Sequence, residues 1–148
     1  MSDAELVVIL NDETKTIDGD IRWSQDKSLS YVVDFRVKVE NELGYPLWIK
    51  GSYNYELQKT GFALFSQDAG RLFAVDAGQD HHNRSCSYVG EIHLHTWTEA
   101  TKDRDASPVE VNATDPLSLW RWFCASAKVI HVGALLEPPD PTKQMDLF

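Results

Sequence analysis

The amino-acid sequence predicts an α+β domain: a mostly antiparallel β meander with one packed C-terminal helix and an extended C-terminal tail. Three observations carry that expectation. Residues 31–40 and 47–57 alternate apolar and polar side chains, the period of a half-buried strand. Beyond Pro108 the apolar spacing changes to that of a helix. Residues 137–143, EPPDPTK, hold three prolines and cannot continue either pattern. With 148 residues, 43% hydrophobic and 25% charged, the chain can bury a real core, and one domain over residues 1–136 is expected.

The elements follow in order. Residues 5–10, ELVVIL, suit a short helix or a strand, which periodicity alone does not separate. A polar turn region covers residues 12–20. Residues 31–40 form the clearest strand, with Val33, Phe35, Val37 and Val39 on one face and Asp34, Arg36, Lys38 and Glu40 on the other. Residues 44–46 break it. Ile49, Tyr53, Tyr55 and Leu57 are in phase over residues 47–57, with Gly51 as a candidate bulge or bend. Residues 62–66 and 71–77 flank the hairpin chemistry of residues 67–70, QDAG. A strand over residues 89–98 would point Ile92, Leu94 and Thr96 at the core, leaving Glu91, His93, His95 and Trp97 on the opposite face. Asp115 followed by Pro116 is a helix start, an N-cap acceptor with proline at the first helical position. Leu119, Trp120, Phe123, Cys124 and Ala127 then make one apolar stripe, while Trp122 lies off it. Residues 129–136 read as a last strand or extended segment. There are no internal repeats.

The formal net charge of −9 argues against broad adhesion to nucleic-acid phosphates, although it leaves room for a local basic patch. No positively charged, apolar leader opens the sequence and no apolar run is long enough to span a bilayer. Cys86 and Cys124, without CxxC spacing, are too few for a disulfide framework. A cytoplasmic protein in a reducing compartment, with no membrane partner, is the expectation.

The densest chemistry lies in residues 76–106, which contain four of the five histidines. Asp76 is in phase with Leu72 and Ala74 on one strand. His81, His82 and Cys86 fall on the following loop, and Glu99 and Asp103 follow the next strand. Imidazoles and carboxylates together suit zinc, iron or manganese, so His82, His93, His95, Asp76 and Glu99 are candidate ligands of a divalent transition metal. Alternatively His93 and His95 act as general base and acid in phosphodiester cleavage without a metal, with Asn83 and Arg84 orienting a phosphate. A purely structural use is equally simple: the imidazoles hydrogen-bond loop carbonyls and carboxylates and hold the long connection in place.

The order DAGQDHHN, VGEIHLHTWTE and KDRDA resembles a group of small, uncharacterised bacterial and prophage-encoded proteins. Their pattern runs R-x-x-x-(L/V)-D, H-x-N-P-D-G, G-x-H-x-H-x-x-x-E and D-x-x-A. Arg71, Val75 and Asp76 match its first part, His81 or His82 with Asn83 its second, and Gly90, His93 and a later acidic residue its third, with His95 as the second histidine. Arg84-Ser85-Cys86 replaces the family's Pro-Asp-Gly. The resemblance spans roughly residues 31–130, and implies a shared fold without an activity.

The last five residues, Gln144, Met145, Asp146, Leu147 and Phe148, closely resemble the bacterial sliding-clamp-binding pentapeptide, whose usual form is Q-L-(S/D)-L-F. Four positions match directly, and Met145 replaces leucine with an unbranched side chain of similar volume. The resemblance implies a bacterial DNA sliding clamp of the polymerase III beta type as partner. Leu147 and Phe148 would be buried anchors, Gln144 a donor and acceptor at the rim, and residues 137–143 an extended spacer. DNA would then be reached indirectly, through the clamp. The alternative for the tail is that Leu147 and Phe148 fold back or fray.

The expectation is therefore a bacterial or phage protein recruited to the clamp, acting in or interfering with replication or repair. A metal- or histidine-dependent nuclease or phosphodiesterase is the enzymatic alternative. A toxin–antitoxin or anti-defence interaction protein, whose acidic surface mimics nucleic acid, is the third.

Overall fold

A computed structural model of the chain describes residues 1–78, 92–100, 102, 106–108 and 115–139. Its centre is an antiparallel meander of seven strands in sequential order: β2 (Ser24–Gln25), β3 (Val32–Val39), β4 (Leu47–Asn54), β5 (Lys59–Ser66), β6 (Gly70–Ala77), β7 (Ile92–Thr96) and β8 (Ala106–Pro108). Helices α1 (Asp3–Asn11) and α2 (Pro116–Ala127) accompany it, and β1 (Thr16–Asp18) pairs in parallel with β9 (Ile130–Val132) as a separate two-stranded sheet. The α+β class, the meander and the packed helix agree with the sequence. The parallel pair does not follow from it, because three residues are too few to show a period.

Local chemistry explains the boundaries. Strand β4 stops at Asn54, short of the expected Leu57, because the Asn54 side chain accepts the amides of Glu56 (3.1 Å) and Leu57 (2.9 Å) and closes a turn. Tyr55 and Leu57 belong to that turn, and Leu57 is exposed. Gly51 is neither bulge nor bend. It pairs in register with Phe35, whose ring occupies the space a Cβ would need, so only glycine fits beneath it. The irregularity falls one strand further on: the β5–β6 register shifts between Leu64 and Phe65, leaving Leu72 as the extra residue. Leu72 consequently joins the core and does not share the face of Ala74 and Asp76.

Both helices pack apolar side chains with one face of the sheet, α1 through Leu6 and Ile9 while Val7 and Val8 stay exposed. Asp115 caps α2, accepting the Ser118 amide at 3.0 Å with Pro116 in the first turn, and Lys128 closes it in a left-handed conformation at φ 56°. The expected stripe is buried in full: Leu119, Trp120, Phe123, Cys124 and Ala127. Trp120 sits 5.1 Å from Phe62 and 5.7 Å from Phe35 between ring centroids, and Phe123 sits 5.6 Å from Phe73. Trp122 is half-buried against the same cluster. Burial pushes the Cys124 thiol up to about 12, so it is an inert core group.

Residues 5–10 are helical. Ser2 caps α1 by accepting the Glu5 amide at 3.1 Å. At the other end Lys15 is fully buried, its ammonium donating to the carbonyl oxygens of Ile9, Leu10 (3.1 Å) and Asp12 (2.7 Å). A cation satisfying the last carbonyls of a helix is favourable both as donor and against the helix dipole. Burial nevertheless pushes the ammonium down to about 8, with Asp12 opposing that shift and Lys128 adding to it. Strand β9 is held by His131. Trp120 Nε1–H donates to His131 Nδ1 at 3.1 Å, so the ring proton lies on Nε2, which donates to the Gly19 carbonyl at 2.7 Å. The Leu136 amide bonds to Ile21, and its carbonyl accepts from Trp23 Nε1–H at 2.8 Å.

Candidate functional site

Alternation along β6 and β7 sends Phe73, Val75, Ala77 and Ile92 inward, and Ala74, Asp76, His93 and His95 to the opposite face. In register, Asp76 lies across from His93 and Ala74 across from His95. The diagonal contact is closed: His95 Nε2 and Asp76 Oδ2 are 3.3 Å apart, with 18% and 51% of the two side chains exposed. This is a hydrogen bond when His95 is neutral with its proton on Nε2, and an ion pair when the ring is charged. His93 Nε2 is buried and finds no hydrogen-bond partner among the described residues, an unsatisfied polar atom of the kind native folds rarely leave. On the adjoining strand, Gly61 pairs with Asp76, and a Cβ there would stand 2.8 Å from Asp76 Oδ1. Glycine at 61 therefore makes room for the carboxylate to lie flat on the sheet beside the imidazoles.

One residue assigned to this face belongs elsewhere. Trp97 is 3% exposed and sits in the core cluster. Regular pairing ends with Phe73 and Thr96, and the Trp97 amide bonds to the carbonyl of the bulged Leu72, so the alternation lapses at the strand end. Thr96, expected inside, is half-buried, and strand β7 ends at Thr96, short of the expected 98, while residues 89–91 lie outside the described residues. Lys102 Nζ lies 5.0 Å from the centre of the Trp97 ring.

The other candidates disperse. Glu99 lies exposed in the turn that joins Thr98 to Lys102, and its amide donates to Asp3 Oδ1 at 2.7 Å, which ties that turn to the start of α1. His81, His82, Asn83, Arg84, Cys86, Glu91 and Asp103 lie outside the described residues, as do Gln144, Met145, Asp146, Leu147 and Phe148. Among the described residues no three His, Cys, Asp or Glu side chains gather in a metal-binding group. What the fold brings together from the expected set is Asp76, His93 and His95.

A second group on the same outward face emerges only from strand register. Trp48 on β4 lies opposite Phe65 on β5, and the rings stack at 5.7 Å with 6° between planes. Arg36 Cζ lies 4.5 Å from the Trp48 ring centre and Lys50 Nζ 5.5 Å from that of Phe65. Alternation along residues 31–40 and 47–57 marks Arg36 and Lys50 as outward, but which residues meet across strands is a property of pairing.

The chain belongs to a family of unknown function (DUF6978), which matches residues 1–129. No curated protein and no solved structure matches it. An uncharacterised family is what the central resemblance implies, and the match covers both helices and the whole meander while ending before β9 and residues 137–148.

Proposed function

We propose that the protein is recruited to the bacterial DNA sliding clamp by residues 144–148 and acts in, or interferes with, replication or repair in the cytoplasm. The carrying observation is the pentapeptide itself, in which Gln144, Asp146, Leu147 and Phe148 match the clamp-binding pattern directly. The fold is compatible with a projecting tail. The bonds of Leu136 to Ile21 and Trp23 fasten the chain to the domain immediately before the proline-rich spacer. Leu147 and Phe148 would each contribute roughly 1.5–3 kcal/mol if fully buried in the clamp pocket. Ordering the peptide offsets much of this, so the affinity is expected to be about micromolar. Tethering raises the concentration of the domain at the clamp without contacts by the domain itself.

The test is binding of the intact protein to purified clamp, measured beside a variant carrying Leu147→Ala and Phe148→Ala. The wild type is expected to bind and to be displaced by a free clamp-binding pentapeptide, with binding abolished in the variant. Equal binding by the two proteins would remove the proposal.

The contact between Asp76 and His95, beside the unsatisfied His93 Nε2, supports a second reading as a histidine-dependent phosphodiesterase. In it Asp76 orients His95 as general base and His93 supplies the second imidazole. Hydrolysis of a chromogenic phosphodiester that is lost in His95→Gln, with the fold intact, is the expected result. Equal rates in the two proteins would dismiss that reading.

A further inference from the structure

We infer that the outward face of β3–β5 binds single-stranded nucleic acid, with bases stacking on Trp48 and Phe65 and phosphates held by Arg36 and Lys50. Leu6 and Ile9 of α1 and the apolar stripe of α2 pack with the inward face, so these strands present their outward side chains away from the core. That side carries two large rings where alternation calls for small polar groups, and the rings are parallel and side by side on neighbouring strands. Arg36 and Lys50 are both exposed and pair across β3 and β4. Neither makes an ion pair with a described carboxylate, whereas Lys38, on the same strand as Arg36, is neutralised by Glu40 at 3.3 Å. Asp34 is the acidic group at an outward position within β3; burial and the neighbouring Asp26 raise its pKa, and Lys50 partly offsets them.

The combination fits one ligand chemistry better than others. Unpaired bases offer flat π-faces to aromatic rings irrespective of sequence, and their phosphates lie within reach of flanking cations. A duplex keeps its bases stacked on one another and offers nothing to the rings. In the free protein the cations occupy the ring faces; both ride on flexible stems and can move from ring to phosphate. The Trp48 indole N–H is buried and finds no hydrogen-bond partner among the described residues, so its resonance reports on the packing of this ring. With a net charge of −9 the rest of the molecule repels a polyanion, so contact should be confined to this patch and should weaken steeply with salt. The inference stands apart from the clamp proposal, since it uses no residue beyond Phe65.

The experiment titrates the full-length protein with an oligothymidylate of about twelve nucleotides at about 50 mM salt, while following the tryptophan indole N–H resonances. Trp48 is assigned from the spectrum of Trp48→Phe. The expected result is a saturable shift of the Trp48 resonance, with little from duplex DNA of equal length or from inorganic polyphosphate. Affinity should fall by about tenfold or more in a variant carrying Arg36→Ala and Lys50→Ala, two exposed sites whose unchanged melting temperature verifies the fold. The variant with Leu147→Ala and Phe148→Ala should bind the oligonucleotide like wild type, which separates failure here from failure at the tail. No shift up to about 100 µM oligonucleotide, an equal response to polyphosphate, a shift confined to other indoles, or undiminished binding by the folded double variant would each overturn the inference.

Discussion

The two faces of this sheet are made by the same strands and obey opposite rules. Inside, polar atoms are rare and most have partners, the Trp97 indole N–H being an exception. The Trp120 N–H meets His131, both nitrogens of His131 are used, and Lys15 ends on three carbonyls. Outside, His93 and Trp48 each hold a buried nitrogen without a partner among the described residues, and Arg36 and Lys50 rest on rings without described carboxylates to pair with. His131 and His93 show what the difference teaches. Both are partly buried imidazoles, yet one is consumed by the fold and the other is left with unspent bonding capacity. Residue type does not separate them; the accounting of donors and acceptors does. That accounting is why the outward face, and not the histidine count, is where function is sought.

The comparison can be broken most forcefully from the inside. Phe123→Ala removes a ring packed against Phe62, Phe73 and Trp120, and is expected to cost about 3–5 kcal/mol in chemical denaturation. A loss below about 1 kcal/mol would mean that this face is not the core.

The buried ammonium sharpens the contrast next. Lys15 titrates near 8 in the folded protein and at 10.5 when exposed. Below the lower value it is charged in both states and the full cost of burying the charge is present. Between the two values the unfolded chain holds a proton that the folded one has released, so stability rises with pH. Wild type should therefore gain up to about 3 kcal/mol relative to Lys15→Met as pH is raised through that window. Parallel stability curves for the two proteins would show that the three carbonyls hold the charge as well as water does.

The smallest effect is expected outside. Asp76→Asn weakens an exposed contact with His95 and should change stability by less than about 1 kcal/mol. A larger loss would move Asp76 and His95 from the functional face into the structural framework.

Much of the fold was legible in the residues themselves. The alternation of Val33, Phe35, Val37 and Val39, the QDAG hairpin and the Asp115–Pro116 start followed by the stripe from Leu119 to Ala127 rest on local rules that tertiary context did not override. The site was legible in part, because alternation placed His93 and His95 together on one face and phase along the neighbouring strand put Asp76 with Ala74. What misled was distance from a regular ladder: Trp97 lies just past the last paired residue, where period two no longer governs, and Glu99 lies in a turn that is tied to α1.

By itself, then, the sequence determined the class of fold, the inward stripe and the composition of the outward face, since each depends on the period of a single element. It also carries the pentapeptide, whose meaning lies in five consecutive side chains. Only the tertiary structure decided that β1 and β9 run parallel, that Lys15 seals α1, that a bulge diverts Leu72 inward, and that Trp48 meets Phe65 while Asp76 meets His95. Those outcomes depend on which strand lies beside which and in what register, and register is set by the whole sheet at once, through core packing that no local period records.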